Sequence, residues 1–294
     1  VLSLLAANTV SDPILWENLG LRPYLFEIGS FQLRYYSLAY LIGVIYAYWH
    51  LSKMIKAPGA PLAQRHADDL FFYGTLGVIL GGRLGYALFY KPEIWANPLD
   101  VLKLWEGGMS FHGGLVGVLI AITYVSRRGN LSFLRVCDYI AVSVPMGMLL
   151  GRLANFINGE LWGRPSDVPW AMVFPMADDQ ARHPSQLYQA GLEGLALLIV
   201  LTALFWFTRA RYRPGLLVGI FTLGMGFARF TNEFFRQPDV QLTEFAERTG
   251  LSMGQWLTIP LIIVGLIVTL YALTRKSTGS GRTDADGKNP SAQG

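Results

Sequence analysis

Polar residues are sparse along this chain, and their positions divide it into segments. From Leu33 onward, long apolar runs alternate with short polar stretches. The runs are Leu33–Leu51, Leu70–Tyr90, Phe111–Val125, Val136–Ile157, Leu187–Phe207, Leu216–Phe235 and Trp256–Leu273. A hydrocarbon core about 30 Å thick is crossed by about 20 apolar residues in helical form. The pattern therefore predicts an all-α, polytopic membrane protein with about seven transmembrane helices. Glycines cluster in the second run (Gly74, Gly77, Gly81, Gly82, Gly85), the third (Gly113, Gly114, Gly117) and the sixth (Gly219, Gly224, Gly226). Small residues at such spacings let helices approach closely in lipid. Residues 1–32 carry Pro, Asn and Trp without helical period and read as an extracytoplasmic segment or a short interfacial helix. Residues 33–275 form the membrane domain, and residues 276–294, rich in Gly, Ser, Asp and Lys, read as a disordered cytoplasmic tail.

Loop charge sets the orientation. One alternate set of loops is basic: Lys53, Lys56 and Arg65, then Arg127, Arg128 and Arg135, then Arg209, Arg211 and Arg213, then the tail. The other set is mixed or acidic, with Glu93, Asp100 and Glu106, then Asp167, Asp178 and Asp179, then Asp239, Glu244 and Glu247. The positive-inside rule assigns the basic set to the cytoplasm. The N-terminus is then outside and the C-terminus cytoplasmic, as an odd number of spans requires. The two longest loops, around 91–110 and 158–186, fall on the outer side.

Composition agrees and excludes some chemistry. Only 15% of the 294 residues are charged, against about 25% in soluble domains. The net charge of +4 sits in short loops and forms no stripe that could track phosphates, so no nucleic acid is expected as a partner. Cys137 is the single cysteine, which rules out an intramolecular disulfide and a cysteine-based metal cluster. His50, His66, His112 and His183 show no metal-ligand spacing, and neither a metal nor a cofactor is expected. Val1–Ala7 are apolar but lack a basic flank and a span-length core, so no signal peptide is expected.

Against this background Arg152 stands out. It follows the apolar run Tyr139–Leu150, where an arginine costs about 2.5–3.5 kcal/mol even on the lenient insertion scale. Asn155, Asn158 and Glu160 come soon after it. Arg152 and Asn155, three residues apart, share a helix face. In the sixth run Arg229, Asn232, Glu233 and Arg236 recur as one polar stripe, with Arg229 and Glu233 spaced to pair. His112 opens the third run, Arg83 lies within the second, and Tyr35 and Tyr36 lie at the outer end of the first.

Singly, each has a structural reading. Arg83 suits a counter-ion or a snorkelling residue, Arg229 with Glu233 an ion pair, and His112 an interfacial residue bonded to backbone. Asn155 suits interhelical glue, Tyr36 the aromatic belt, and Cys137 an inert buried thiol. Together, arginines, a histidine and carboxylates at outer membrane depth point to an anionic lipid headgroup. Guanidinium forks match phosphate oxygens bidentately, and a histidine that titrates near neutrality suits proton transfer. The chemistry indicated is that of a phospholipid whose phosphate either leaves or is attacked.

The stretch Gly151–Gly163 resembles the signature of the bacterial prolipoprotein diacylglyceryl transferases. The pattern is Gly-Arg, one residue, Gly or Ala, Asn-Phe, an apolar residue, Asn, one residue, Glu, two residues, Gly. Ser110–Leu115, Arg182–Tyr188 and Glu233–Pro238 resemble further motifs of that family, in the same order. The resemblance implies a seven-span enzyme of the bacterial inner membrane, with residues 33–275 as its catalytic domain. Such an enzyme moves the diacylglyceryl group of phosphatidylglycerol onto the lipobox cysteine thiol of a preprolipoprotein signal peptide. The products are a thioether and glycerol 1-phosphate. The implied partners are phosphatidylglycerol, lipobox-bearing signal peptides and membrane lipids. Carried over by motif, Arg152 binds the headgroup and Arg229 stabilises charge building on the departing phosphate. His112 takes the thiol proton, Asn155, Asn158 and Glu160 shape the headgroup pocket, and Tyr36 lines it. The attacking thiol belongs to the substrate, so the enzyme needs no reactive cysteine of its own. The alternative is a lipid or organic-anion transporter using the same arginines. Transporters usually carry internal repeats with paired broken helices, and no such repeat is visible here.

Overall fold

A backbone in lipid has no water to bond and must satisfy its own N–H and C=O groups, which a helix does. In the computed structural model, which describes residues 13–29, 31–237, 248–275 and 277, every predicted apolar run is mainly helical. The start Val1–Ala7, Pro238 with the acids Asp239, Glu244 and Glu247, and the predicted tail apart from Ser277 lie outside the described residues. The helices are α1 Tyr35–Met54, α2 Gln64–Phe89, α3 Phe111–Arg128, α4 Phe133–Ala141, α5 Val144–Ile157, α6 Ser185–Gln189, α7 Leu197–Phe207, α8 Leu216–Asn232 and α9 Met253–Thr274. A π-helical turn, Ala190–Ala196, joins α6 to α7 in one rod.

Among the described residues, two helices, Ser185–Phe207 and Met253–Thr274, are long and apolar enough to cross a membrane. The pair α4 and α5, bent by 40°, makes a third if it is one span. The run Val136–Ile157, expected as a single helix, thus breaks in two. Pro145 lies in the first turn of α5, and without an N–H it cannot continue the hydrogen-bond ladder of α4. Large apolar side chains such as Leu41, Leu88, Ile120, Leu257 and Ile267 are exposed, as lipid-facing surfaces require.

The all-α expectation is corrected in detail by short strands. Strands β1 Ile14–Leu15 and β4 Met172–Val173 pair in parallel, and β4 pairs antiparallel with β5 Ala181–Arg182. Strands β2 Tyr24–Ile28 and β3 Phe31–Arg34 form an antiparallel pair immediately before α1. Among the described residues of the N-terminal segment the regular elements are strands and a 3-10 turn, Trp16–Leu19.

The chain forms two compact units. One comprises Val1–Ala47, Ser143–Leu201 and Phe221–Leu266, and the other Tyr48–Val142, Thr202–Ile220 and Ile267–Gly294. In the second, α2 and α3 meet through glycine. A Cβ on Gly77 would lie 2.7 Å from the carbonyl carbon of Gly117, and one on Gly85 would lie 2.8 Å from the Cα of Gly113. Asp138 on α4 caps the start of α8, accepting from the Gly215 N–H at 2.7 Å and the Val218 N–H at 2.9 Å.

Arg83 serves as neither a counter-ion nor a snorkelling residue among the described residues; it is buried and donates to backbone carbonyls. Only 3% exposed, it reaches from α2 into the loop before α3. Its Nε donates to the Val101 carbonyl at 2.8 Å, and its Nη2 to those of Asp100 at 3.0 Å and Lys103 at 2.9 Å. Its Nη1 donates to the carbonyls of Gly107 and Gly108. One guanidinium thereby holds the 3-10 turns Pro98–Leu102 and Leu104–Glu106 against α2, just ahead of His112. Each buried polar group left unmade costs about 1–3 kcal/mol. Arg83→Leu should therefore destabilise this unit by about 3 kcal/mol or more, seen as a lower thermal midpoint in detergent. Arg83→Lys, with a single compact donor head, should recover only part of the loss. An unchanged midpoint in Arg83→Leu would contradict the clamp.

Candidate active site

Most of the predicted site residues gather at the C-terminal end of α5, in the first unit. The helix ends at Asn158, and Gly159 follows in the left-handed conformation at φ 66°. The Glu160 N–H returns to the Asn155 carbonyl at 3.1 Å and the Gly159 N–H to that of Phe156 at 3.0 Å. These two bonds are the Schellman closure, and the positive φ at 159 is one that glycine adopts without strain. The closure folds Glu160 back over the last helical turn. Its Oε1 accepts from Asn155 Nδ2 at 2.8 Å and from Asn158 Nδ2 at 3.1 Å. Both asparagines and the glutamate are thus one hydrogen-bonded cluster.

Two further motifs hold this turn. Leu161 is left-handed at φ 59°, a conformation that costs a non-glycine residue about 1–2 kcal/mol. Buried Ser185 donates to the Leu161 carbonyl at 3.0 Å, and buried Gln186 to that of Glu160 at 2.6 Å. Gly163 and Arg164 pair with the other motifs through backbone: Gly163 N–H to the His183 carbonyl at 2.8 Å, Arg164 N–H to that of Phe235 at 2.9 Å. On the other side, Trp16 Nε1 donates to the Phe156 carbonyl at 2.9 Å. Trp16 forms a small core with Met172 and Phe174, against which Phe156 and Trp162 pack. The signature, Arg182–Tyr188 and Glu233–Gln237 are therefore one interlocked structure.

Outside the helices, Arg182 grips Asp178 at 2.9 and 2.6 Å and holds its carboxyl below the usual range. Burial pushes the His183 imidazole below its ordinary value, and its Nδ1 lies 3.0 Å from the Tyr188 hydroxyl.

The arginines meet on a carboxylate that the sequence reading did not single out. Glu193, fully buried in the π turn, lies with Oε2 3.7 Å from Arg152 Nη2 and Oε1 3.9 Å from Arg229 Nη1. Arg152 also approaches Asn155 Oδ1 at 3.5 Å. The expected pair Arg229–Glu233 does not form. Glu233 pairs instead with Arg236, three residues on, at 3.6 Å, while Arg229 faces Glu193 on another helix. Tyr36, at the start of α1, packs edge-on against Tyr40 and lies within electrostatic reach of Glu160 and Arg152.

Two guanidiniums around one carboxylate leave one net positive charge. Most of their N–H donors are uncommitted to hydrogen bonds among the described residues. Such a site suits a phosphate.

His112 lies in the second unit, at the second residue of α3. Ser110 caps that helix by accepting from the Gly113 N–H at 3.2 Å, and its own N–H donates to the Gly82 carbonyl at 2.8 Å. His112 lines a cleft of about 430 Å³ with Phe89, Tyr90 and Ser110.

Comparison with known proteins agrees with these features. A family model described as prolipoprotein diacylglyceryl transferase matches residues 23–271. The phosphatidylglycerol–prolipoprotein diacylglyceryl transferase of Erythrobacter litoralis is 65% identical over 275 residues, covering 93% of this chain and 97% of the relative. The protein of the same name from Zymomonas mobilis is 49% identical, across 89% of this chain and 94% of its own. That of Rhodospirillum rubrum is also 49% identical, across 86% and 93%. The chain belongs to the prolipoprotein diacylglyceryl transferase family.

Proposed function

We propose that this chain transfers the diacylglyceryl group of phosphatidylglycerol to the lipobox cysteine of preprolipoprotein signal peptides. The cysteine sulfur, once deprotonated, attacks the glycerol carbon that carries the phosphate oxygen. The C–S bond forms, the C–O bond breaks, and the electron pair departs on the phosphate as glycerol 1-phosphate. The diester and the thiolate each bring one negative charge, so the leaving monoester carries two. That build-up is what a pair of arginines stabilises.

Arg152 binds the headgroup phosphate and Arg229 takes up the second charge. His112 accepts the thiol proton, which a thiol with a pKa of about 8.5 does not release fully at neutral pH. The Asn155–Asn158–Glu160 cluster shapes the pocket for the headgroup glycerol, and Tyr36 lines it. The observation that supports this reading most is the placement of Arg152 and Arg229 about Glu193, on and beside the family signature.

The chain crosses the bacterial inner membrane seven times, with the N-terminus outside and the C-terminus cytoplasmic. The alternation of basic and acidic loops supports that topology. The transport alternative finds no support in the names of the relatives.

Product stoichiometry tests the reaction. Purified protein in phosphatidylglycerol vesicles, given a lipobox peptide, should release glycerol phosphate and lipidated peptide in equal amounts. Release without peptide, or anion uptake without covalent product, would contradict it.

A further inference from the structure

The rod Ser185–Phe207 carries a single charged residue, Glu193. It is wholly buried and sits in the π-helical turn Ala190–Ala196. Such turns appear mostly as single insertions in α-helices, frequently at functional sites. Here the turn is pressed against α5: a Cβ on Gly194 would lie 2.6 Å from the Cα of Leu149, three residues before Arg152. The π turn thus brings a carboxylate to the arginine of the signature.

The geometry is not that of an optimised structural salt bridge. Charge-assisted N–H···O bonds run at about 2.7–2.9 Å, whereas Glu193 stands 3.7 Å from Arg152 and 3.9 Å from Arg229. Neither of its oxygens has a hydrogen-bond partner among the described residues. Asn232, also buried, lies beside it, and a third guanidinium, that of Arg236, is within its electrostatic reach. A buried carboxylate held this loosely is expensive to keep. Each oxygen faces a different guanidinium. Two guanidiniums that grip one phosphate repel each other, and a carboxylate between them offsets that repulsion. A guanidinium has five donors, so this arrangement leaves most of them for the ligand.

We infer that Glu193 is a positioning residue, holding the Arg152 and Arg229 guanidiniums as a pair across one phosphate without itself touching substrate. The inference rests on the reaction proposed above. Glu193→Gln keeps the shape and removes the charge. The two cations then spread apart, yet the site is more positive, so an anionic headgroup binds at least as well. The expected result is an unchanged or lower KM for phosphatidylglycerol with kcat reduced at least tenfold. Glu193→Asp restores the charge at shorter reach and should recover part of kcat. A merely structural carboxylate would not separate kcat from KM.

The test compares the full chain with Glu193→Gln, Glu193→Asp and Arg152→Ala in phosphatidylglycerol vesicles with a lipobox peptide. It follows kcat, KM, the thermal midpoint, and retention of phosphatidylglycerol by native mass spectrometry. A kcat-only loss in Glu193→Gln at an unchanged midpoint, partly rescued in Glu193→Asp, supports the role. Wild-type kcat in Glu193→Gln, or losses that follow a lowered midpoint in both variants, overturns it. Absence of product from the unaltered chain would refute the proposed reaction, and lipid retention would still decide on Glu193. Retention in Glu193→Gln at or above the unaltered level, with loss in Arg152→Ala, supports pairing across a phosphate. Loss in both overturns it.

Discussion

Arg152→Ala should abolish diacylglyceryl transfer while the chain still inserts and folds. Arg152 contributes one of the two guanidiniums at Glu193 and the one closest to the Asn155–Glu160 cluster. Removing one donor aimed at developing charge costs about 10²–10³-fold in rate in well-studied enzymes. A cation that also anchors the ground-state phosphate should cost at least as much. The fold should survive because Glu193 keeps Arg229 as a counter-ion and the closure of α5 runs through backbone. Arg152→Lys keeps the charge but loses the planar fork, so its rate should fall between the two. The check is the transfer rate at matched membrane abundance. A normal rate in Arg152→Ala would remove Arg152 from the headgroup site.

The second large effect is on the fold. Gly117→Val should prevent α2 and α3 from packing. A Cβ on Gly117 would lie 2.6 Å from the carbonyl carbon of Gly77 and 3.1 Å from its Cα. Those atoms are backbone and cannot rotate aside, so the helices must separate. Overpacking usually costs about 1–3 kcal/mol, and a forced backbone shift belongs at or above the upper end. In lipid no hydrophobic drive between helices offsets the loss. His112 sits at the start of α3, so activity should fall with the fold. Expected are poor yield and a lower thermal midpoint in detergent. Gly74→Ala is the control, because its Cβ would meet nothing within 4 Å. Equal midpoints for Gly117→Val, Gly74→Ala and the unaltered chain would contradict the close packing of α2 on α3.

Helices are legible in this sequence because lipid demands apolar runs of the right length. The run Phe111–Val125 predicts α3 at Phe111–Arg128, and Trp256–Leu273 predicts α9 at Met253–Thr274. A run of apolar residues does not reveal a change in winding, so the π turn at Ala190–Ala196 leaves no mark in the pattern. The break between α4 and α5 is different, since Pro145 is present to signal it. Glu193 carries the same signal as Arg152, an ionisable residue inside a span. Applied to Leu187–Phe207, that argument would have found it. The spacing of Arg229 and Glu233 permits an internal pair, but a carboxylate on another helix decides the partner. Strand β1 depends on a partner far along the chain, Ile14 with Met172, which no local pattern announces. The joining of Asn155, Asn158 and Glu160 does follow locally, once Gly159 is read as the end of a helix.

The most direct test of the account is the intact mass of a lipobox peptide incubated with this protein and phosphatidylglycerol. The account predicts a mass increment of one diacylglyceryl group on the cysteine sulfur. The increment should survive mild base hydrolysis of the acyl esters as a thioether-linked glyceryl remnant, and it should be absent when serine replaces the lipobox cysteine. An unmodified peptide with a folded, membrane-inserted protein, or an increment that persists without the cysteine, would contradict it.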